Sequence, residues 1–170
     1  MKYSSAVTPS RISRFETWEQ DLAEFLEASA NRPFAWGSHD CCLFVSEAIR
    51  IMTGTDIAEI KHWRGNYHDE TGAYFNLFKA MRTRKFRTAL ERLAEEFGLV
   101  PWSHAALAQR GDVALVQDGA AVAAIAADFG PPVLKEALGI VDLSGRWVAC
   151  LGPEGLTRLP VDRILIAWKV

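Results

Sequence analysis

Apolar residues recur at helical spacing through the first half of the chain and gather into short runs in the second half. Trp18, Leu22, Phe25 and Leu26 fall on one face at a period near 3.6 and predict a helix over residues 17–30. Thr17 stands at the N-cap position with Gln20 three residues on, the pattern of a capping box. The next residue on that face is Ser29, small and polar, so the stripe is expected to fade in the last turn before Asn31-Arg32-Pro33 ends the helix. A second helix is expected from Asp40, carrying Cys41, Phe44, Val45, Ala48, Ile49 and Met52 and stopped by Gly54. Two more are predicted, over 72–83 and over 86–97; in the latter Leu90, Leu93, Ala94 and Phe97 form the stripe and Gly98 the stop.

Beyond Gly111-Asp112 the texture changes. Val113–Gln117, Ala120–Ala126, Ala137–Asp142, Arg146–Leu151 and Ile164–Val170 read as strands, punctuated by turns at Asp118-Gly119, Ser144-Gly145 and Pro153-Glu154-Gly155. Helices first and an antiparallel sheet second, within one domain's length of chain, predict an α+β fold with a sheet of five to six strands. Residues 1–13 are polar, broken at Thr8-Pro9-Ser10, and read as an extended or loosely docked arm; residues 14–170 read as one domain without repeats or linkers. Phe129-Gly130-Pro131-Pro132 after an alanine-rich run predicts a loop that leaves the compact body.

Composition narrows the function classes. The chain has 170 residues, 49% hydrophobic and 24% charged, with a formal net charge of −2. That is the balance of an ordinary folded domain rather than a disordered chain, and it lacks the positive excess of an electrostatic nucleic-acid binder. No apolar stretch approaches the roughly 20 residues of a membrane span, and the N-terminus shows no apolar signal region, so the expected origin is the cytoplasm. Three cysteines, Cys41, Cys42 and Cys150, do not make a disulfide framework. The cluster His39-Asp40-Cys41-Cys42 lacks the ligand spacing of a zinc site, and neither metal nor cofactor is expected.

The chemistry concentrates in Phe34-Ala35-Trp36-Gly37-Ser38-His39-Asp40-Cys41-Cys42. Asp40 occupies an N-cap position, which puts Cys41 first in the helix, where unpaired amide N–H groups and the helix dipole favour a thiolate. The plainer reading makes Cys41 and Cys42 two small residues at the start of a buried helix. Trp36-Gly37 followed by Asp40-Cys41 on an apolar helix, with Gly111-Asp112 before the first strand, resembles the NlpC-type cell-wall cysteine peptidases of the papain-like superfamily. The likeness runs from Phe34 to the C-terminus. It is greatest to small members encoded in bacteriophage tail gene clusters, through the Trp-Gly…Asp-Cys-Cys box and a C-terminal Leu-Gly-Ile…Gly…Trp pattern.

The resemblance implies a cysteine helix packed on an antiparallel sheet that carries a histidine base, and hydrolysis of peptidoglycan stem peptides through an acyl-enzyme. Carried over by residue, Cys41 matches the nucleophile. The base is expected where typical members read His-Val-Gly-Ile and this chain reads Ala137-Leu138-Gly139-Ile140, so Ala137 leaves that role empty. The third, orienting residue is expected near Val148-Ala149-Cys150, which is also apolar. General acid–base assistance is worth ~10²–10⁴-fold, and its loss implies a retired site. His39, two residues before Cys41, is the nearest substitute; His62, His68 and His104 read as surface or capping histidines.

The resemblance therefore points to an assembly component of a phage tail tip or baseplate, made in the host cytoplasm and carried in the virion, with other tail proteins as partners. An active tail peptidase that uses Cys41 with an unusual base, and so touches peptidoglycan, is the alternative, and a thiol-dependent acyl transferase on the same scaffold a third. Trp36, Trp63 and Trp102 are candidate binding anchors, with Trp18 a further surface candidate; Trp36 and Trp168 fit the core better, and partial burial against the same domain is the plainer reading of Trp63, Trp102 and Trp18. Lys79, Arg82, Arg84, Lys85 and Arg87 place five cations in nine residues, either a surface for an acidic partner such as a neighbouring subunit or anionic wall polymer or, more ordinarily, a solvated face where two helices meet. Arg110-Gly111-Asp112 spells an adhesion tripeptide but reads as a turn before a strand.

Overall fold

A computed structural model describes residues 12–117 and 136–170. Among them, five α-helices precede a six-stranded sheet. The helices are α1 (Trp18–Ser29), α2 (Cys41–Thr53), α3 (Ile57–Ile60), α4 (Glu70–Met81) and α5 (Phe86–Glu96). The strands are β1 (Val100–Pro101), β2 (Val113–Gln117), β3 (Glu136–Val141), β4 (Trp147–Gly152), β5 (Gly155–Pro160) and β6 (Ile164–Lys169). They lie in the order β1-β6-β2-β3-β4-β5 with every neighbouring pair antiparallel. The fold is α+β, with helices first and an antiparallel sheet second.

The sheet is covered on both faces. Val113, Leu115, Leu138, Ile140, Ala149, Leu151 and Trp168 join the helical core around Leu22, Phe44, Ile49 and Met52. The alternate residues Ala114, Val116, Ala137, Val141, Val148 and Cys150 form a second cluster on the far face, against which Trp102, Ala105 and Val161 pack. Two-sided burial explains why these strands read as continuous apolar runs rather than as alternation. Both edges are blunted: β1 has two residues, one of them Pro101, and β5 ends in Pro160.

Several details depart from the sequence expectations. Thr17 does take the N-cap position of α1, but no capping box forms: its hydroxyl donates to Asp21 (2.7 Å) and Gln20 donates to Glu24 (2.9 Å). The α1 face does not fade, because Ser29 is buried. Its small side chain comes just before the point where Ala30 meets the β4–β5 turn, the Ala30 carbonyl accepting from the Leu156 amide (3.0 Å). A β-carbon on Gly155 would lie 2.1 Å from that carbonyl, so only glycine admits the contact. α4 starts two residues earlier than expected, capped by Asp69, and α3, β1 and β5 were not foreseen. The expected strand Ala120–Ala126, the turn at Asp118-Gly119, the loop around Phe129, and the first eleven residues of the arm lie outside the described residues. Ile12 already packs against the helical core.

Candidate functional site

The segment before α2 is folded on itself around one carboxylate. Asp40 caps the helix with extended backbone, and its Oδ1 accepts the Leu43 amide at 3.1 Å. Its Oδ2 accepts the Gly37 amide at 3.0 Å and the Tyr67 hydroxyl at 2.6 Å. The carboxylate is fully buried, and three donors replace the water it has lost. Gly37 has φ +75°, and a β-carbon there would sit 1.9 Å from the Tyr67 carbonyl. The Trp-Gly pair is thus required by close passage of the Tyr67 backbone, which no side chain at position 37 would allow.

Asp40 places Cys41 at the first position of α2, half-buried, with Cys42 beside it. Interaction with the adjacent Cys41 side chain, then burial, holds the Cys42 thiol well above its ordinary pKa. Tyr74 and Tyr67 are pushed up as well, chiefly by burial, and both feel the cysteines. Cys41 and Cys42 line a cavity of about 40 Å³ walled by Trp36, Trp63, Tyr67, Tyr74 and Phe86, with Glu136 at its sheet side. That volume admits a water or two and is far below the roughly 300–1,000 Å³ of a ligand pocket.

None of the four histidines lines this cavity. His39 is buried with its ring edge-on to Phe44, centroids 6.2 Å apart, and burial together with the Arg32 charge lowers its pKa to about 4. Its Nε2 has no hydrogen-bond partner among the described residues. His62 and His68 are exposed, and His104 accepts the Ala106 amide (3.2 Å) at the start of a 3₁₀ turn.

Ala137, at the position expected for the family's base, belongs to the cluster on the far face of the sheet, and so do Val148 and Cys150. Strand alternation therefore presents Glu136 and Leu138, not Ala137, to the side on which α2 packs. Glu136 reaches the cavity wall and is gripped by Arg87, whose Nε lies 3.0 Å and 3.2 Å from its two oxygens and whose terminal nitrogen makes a closer contact. Pairing with Glu136 raises the Arg87 pKa.

The tryptophans divide. Trp63 is core, 3% exposed, so it offers no surface anchor. Trp36 stands edge-on to Phe34 (4.8 Å) with its indole N–H buried and unpartnered among the described residues. Trp102 is half-buried, donating to Asp112 (2.7 Å) beneath the Lys169 ammonium (3.8 Å from the ring centroid). Trp18 lies under the Arg14 guanidinium at 4.2 Å.

Asp112, of the Gly-Asp turn, is a second buried hub. It accepts from Arg14 (2.7 Å), Trp102 and the Gln109 amide (2.8 Å), and so ties the start of the described chain to β2. Tyr67 and Glu136 escaped sequence reasoning: the first is one of two aromatics, with Trp63, in a polar stretch, the second a charge at a strand's first position. Among the described residues no three His, Cys, Asp or Glu side chains cluster as metal ligands, and no helix is long and apolar enough to cross a membrane.

Neither a curated protein nor a solved structure matches this chain. Residues 13–170 match the family described as Domain of unknown function (DUF6950). That span takes in α1, the Asp40 cap, the cysteine pair and every described strand, and the chain belongs to the DUF6950 family.

Proposed function

We propose that this chain is a papain-like domain of NlpC type whose hydrolytic site is retired, serving as an assembly component of a phage tail tip or baseplate with other tail proteins as partners. The observation that carries the retirement is the sheet face opposite Cys41. It offers Glu136 and Leu138 where a thiol peptidase needs an imidazole, and no histidine lines the cavity. The cavity is too small for a stem peptide, and Cys42 is held as a thiol. The tail assignment rests on the resemblance of the Trp36-Gly37…Asp40-Cys41-Cys42 box, and places the protein in the host cytoplasm during assembly and then in the virion.

One arrangement favours the alternative, a peptidoglycan endopeptidase. Cys41 is half-exposed at the first position of a 13-residue helix, at the positive end of the helix dipole and beside a cavity. Digestion of purified sacculi separates the two readings, with Cys41→Ala in parallel and released fragments read by mass spectrometry. Equal absence of fragments is the expected result. Release that depends on Cys41 overturns the retired site.

A further inference from the structure

The cations between α4 and α5 do more than solvate a helix junction. Phe75, Phe78, Lys79, Arg82 and Arg84 line a groove of about 480 Å³, within the range of volumes that hold a ligand. Phe75 is 64% exposed on the solvent side of α4, whose buried residues are Leu77 and Met81. A single exposed phenylalanine needs no explanation, but one set in a groove beside a second phenylalanine and three cations is a different matter.

Those cations are unspent. Arg87 is engaged by Glu136, whereas Lys79, Arg82 and Arg84 make no ion pair among the described residues. Lys79 holds its ammonium 5.8 Å from the Phe75 ring centroid. A favourable interaction with the helix dipole accounts for a cation in the last turn of α4 but not for Arg84 beyond it. The backbone beneath is fixed: Arg92 donates to the carbonyls of Met81 (2.7 Å) and Arg82 (3.0 Å), bracing Arg82 at φ +52°. In a chain of net charge −2, this is a local positive site with an apolar floor.

We propose that this groove docks an acidic segment of a partner protein, one aromatic or aliphatic side chain entering between Phe75 and Phe78 while flanking carboxylates meet Lys79, Arg82 and Arg84. Charge complementarity selects the partner's sign, and the phenylalanines select a side chain over a bare polyanion. A nucleic acid fits less well, because it asks for a longer track of cations than one groove supplies. The inference is independent of the papain-like reading.

The test uses the full chain and a fluorescein-labelled peptide with a central phenylalanine between runs of glutamate, followed by fluorescence anisotropy. Saturable binding that weakens with salt is expected. Arg84→Glu and Lys79→Glu should each weaken it by about tenfold, and Phe75→Ser by a similar factor, with melting temperatures near that of the parent chain. Replacing the peptide's phenylalanine by serine should reproduce the Phe75→Ser loss. No binding, binding indifferent to all three substitutions, or tighter binding of an oligothymidylate of equal charge would overturn the proposal.

Discussion

The Tyr67 hydroxyl donates a 2.6 Å hydrogen bond to the carboxylate of Asp40, linking the loop before α4 to the first turn of α2. The phenol and the carboxylate are 27 positions apart in the chain, and both are buried. The bond fixes how the cysteine helix meets the aromatic wall of its cavity. Tyr67→Phe keeps the ring and removes only the donor, so the loss should be that of a hydrogen bond to a charged group, about 1.5–3 kcal/mol. Asp40→Ala strips the helix cap and orphans Gly37 and Tyr67 as well, and should cost more, about 2–4 kcal/mol. Urea titrations followed by tryptophan fluorescence measure both; equal losses would show that the helix cap and the Gly37 bond add nothing to the Tyr67–Asp40 bond.

Glycine at position 37 is demanded twice, by φ +75° and by the 1.9 Å approach of a β-carbon to the Tyr67 carbonyl. Gly65 shares the positive φ (+73°) but has nothing within 4 Å. Gly65→Ala should therefore cost only the backbone penalty, about 1–2 kcal/mol, and Gly37→Ala clearly more, since the loop must open. Comparable denaturation midpoints for the two variants would remove the argument for a close approach.

His39 makes stability depend on pH. Its folded pKa is about 4, and an unperturbed histidine titrates near 6.5, so between those values the unfolded chain binds the extra proton. Stability is full above the unfolded value, falls as pH drops below it, and levels off once the folded ring also protonates. The total loss is at most about 3 kcal/mol. His39→Phe, which keeps a ring against Phe44, should flatten stability between pH 4 and 6.5, and urea midpoints across that interval decide it.

The helices were legible because their apolar stripes and stop residues act locally: Asp40 and Gly54 mark α2 from either end, and the structure uses both. The four foreseen strands that lie among the described residues were legible for a different reason, since burial on two faces leaves dense apolar runs. β5 was hidden because an edge strand needs no such density; Thr157 and Arg158 break its apolar run. Trp63 sits among polar neighbours, which fit either partial burial or a surface anchor, and it lies in the core at the end of the turn after α3. The faces of β3 were beyond the sequence altogether. Which of Glu136 and Ala137 points at α2 depends on the phase of the strand against the helices, and a one-residue slip exchanges them.

Cys42 should stay unmodified while Cys41 reacts. Its thiol is held protonated by its interaction with the Cys41 side chain and by burial, and the thiolate is the nucleophile. Mass-spectrometric mapping after iodoacetamide treatment at mildly alkaline pH should place the label on Cys41 in the parent chain and remove it in Cys41→Ser. Label on Cys42 in the folded parent protein would contradict the assignment.

The opposed faces of Glu136 and Ala137 permit a sharper experiment. If Glu136 shares the cavity with Cys41 while Ala137 lies across the sheet, then Glu136→His brings an imidazole to the thiol and Ala137→His does not. An adjacent imidazolium stabilises a thiolate, so Cys41 in Glu136→His should be alkylated faster at mildly acidic pH than in the parent chain. Releasing Arg87 costs little, about 1 kcal/mol or less, because that side chain is exposed. Ala137→His should instead crowd the buried cluster around Val116 and Val148, lowering the melting temperature with no change in the alkylation profile. The opposite pattern, reactivity gained at 137 and not at 136, would reverse the facing of β3. It would also put the position where NlpC-type peptidases are expected to carry their base back beside Cys41.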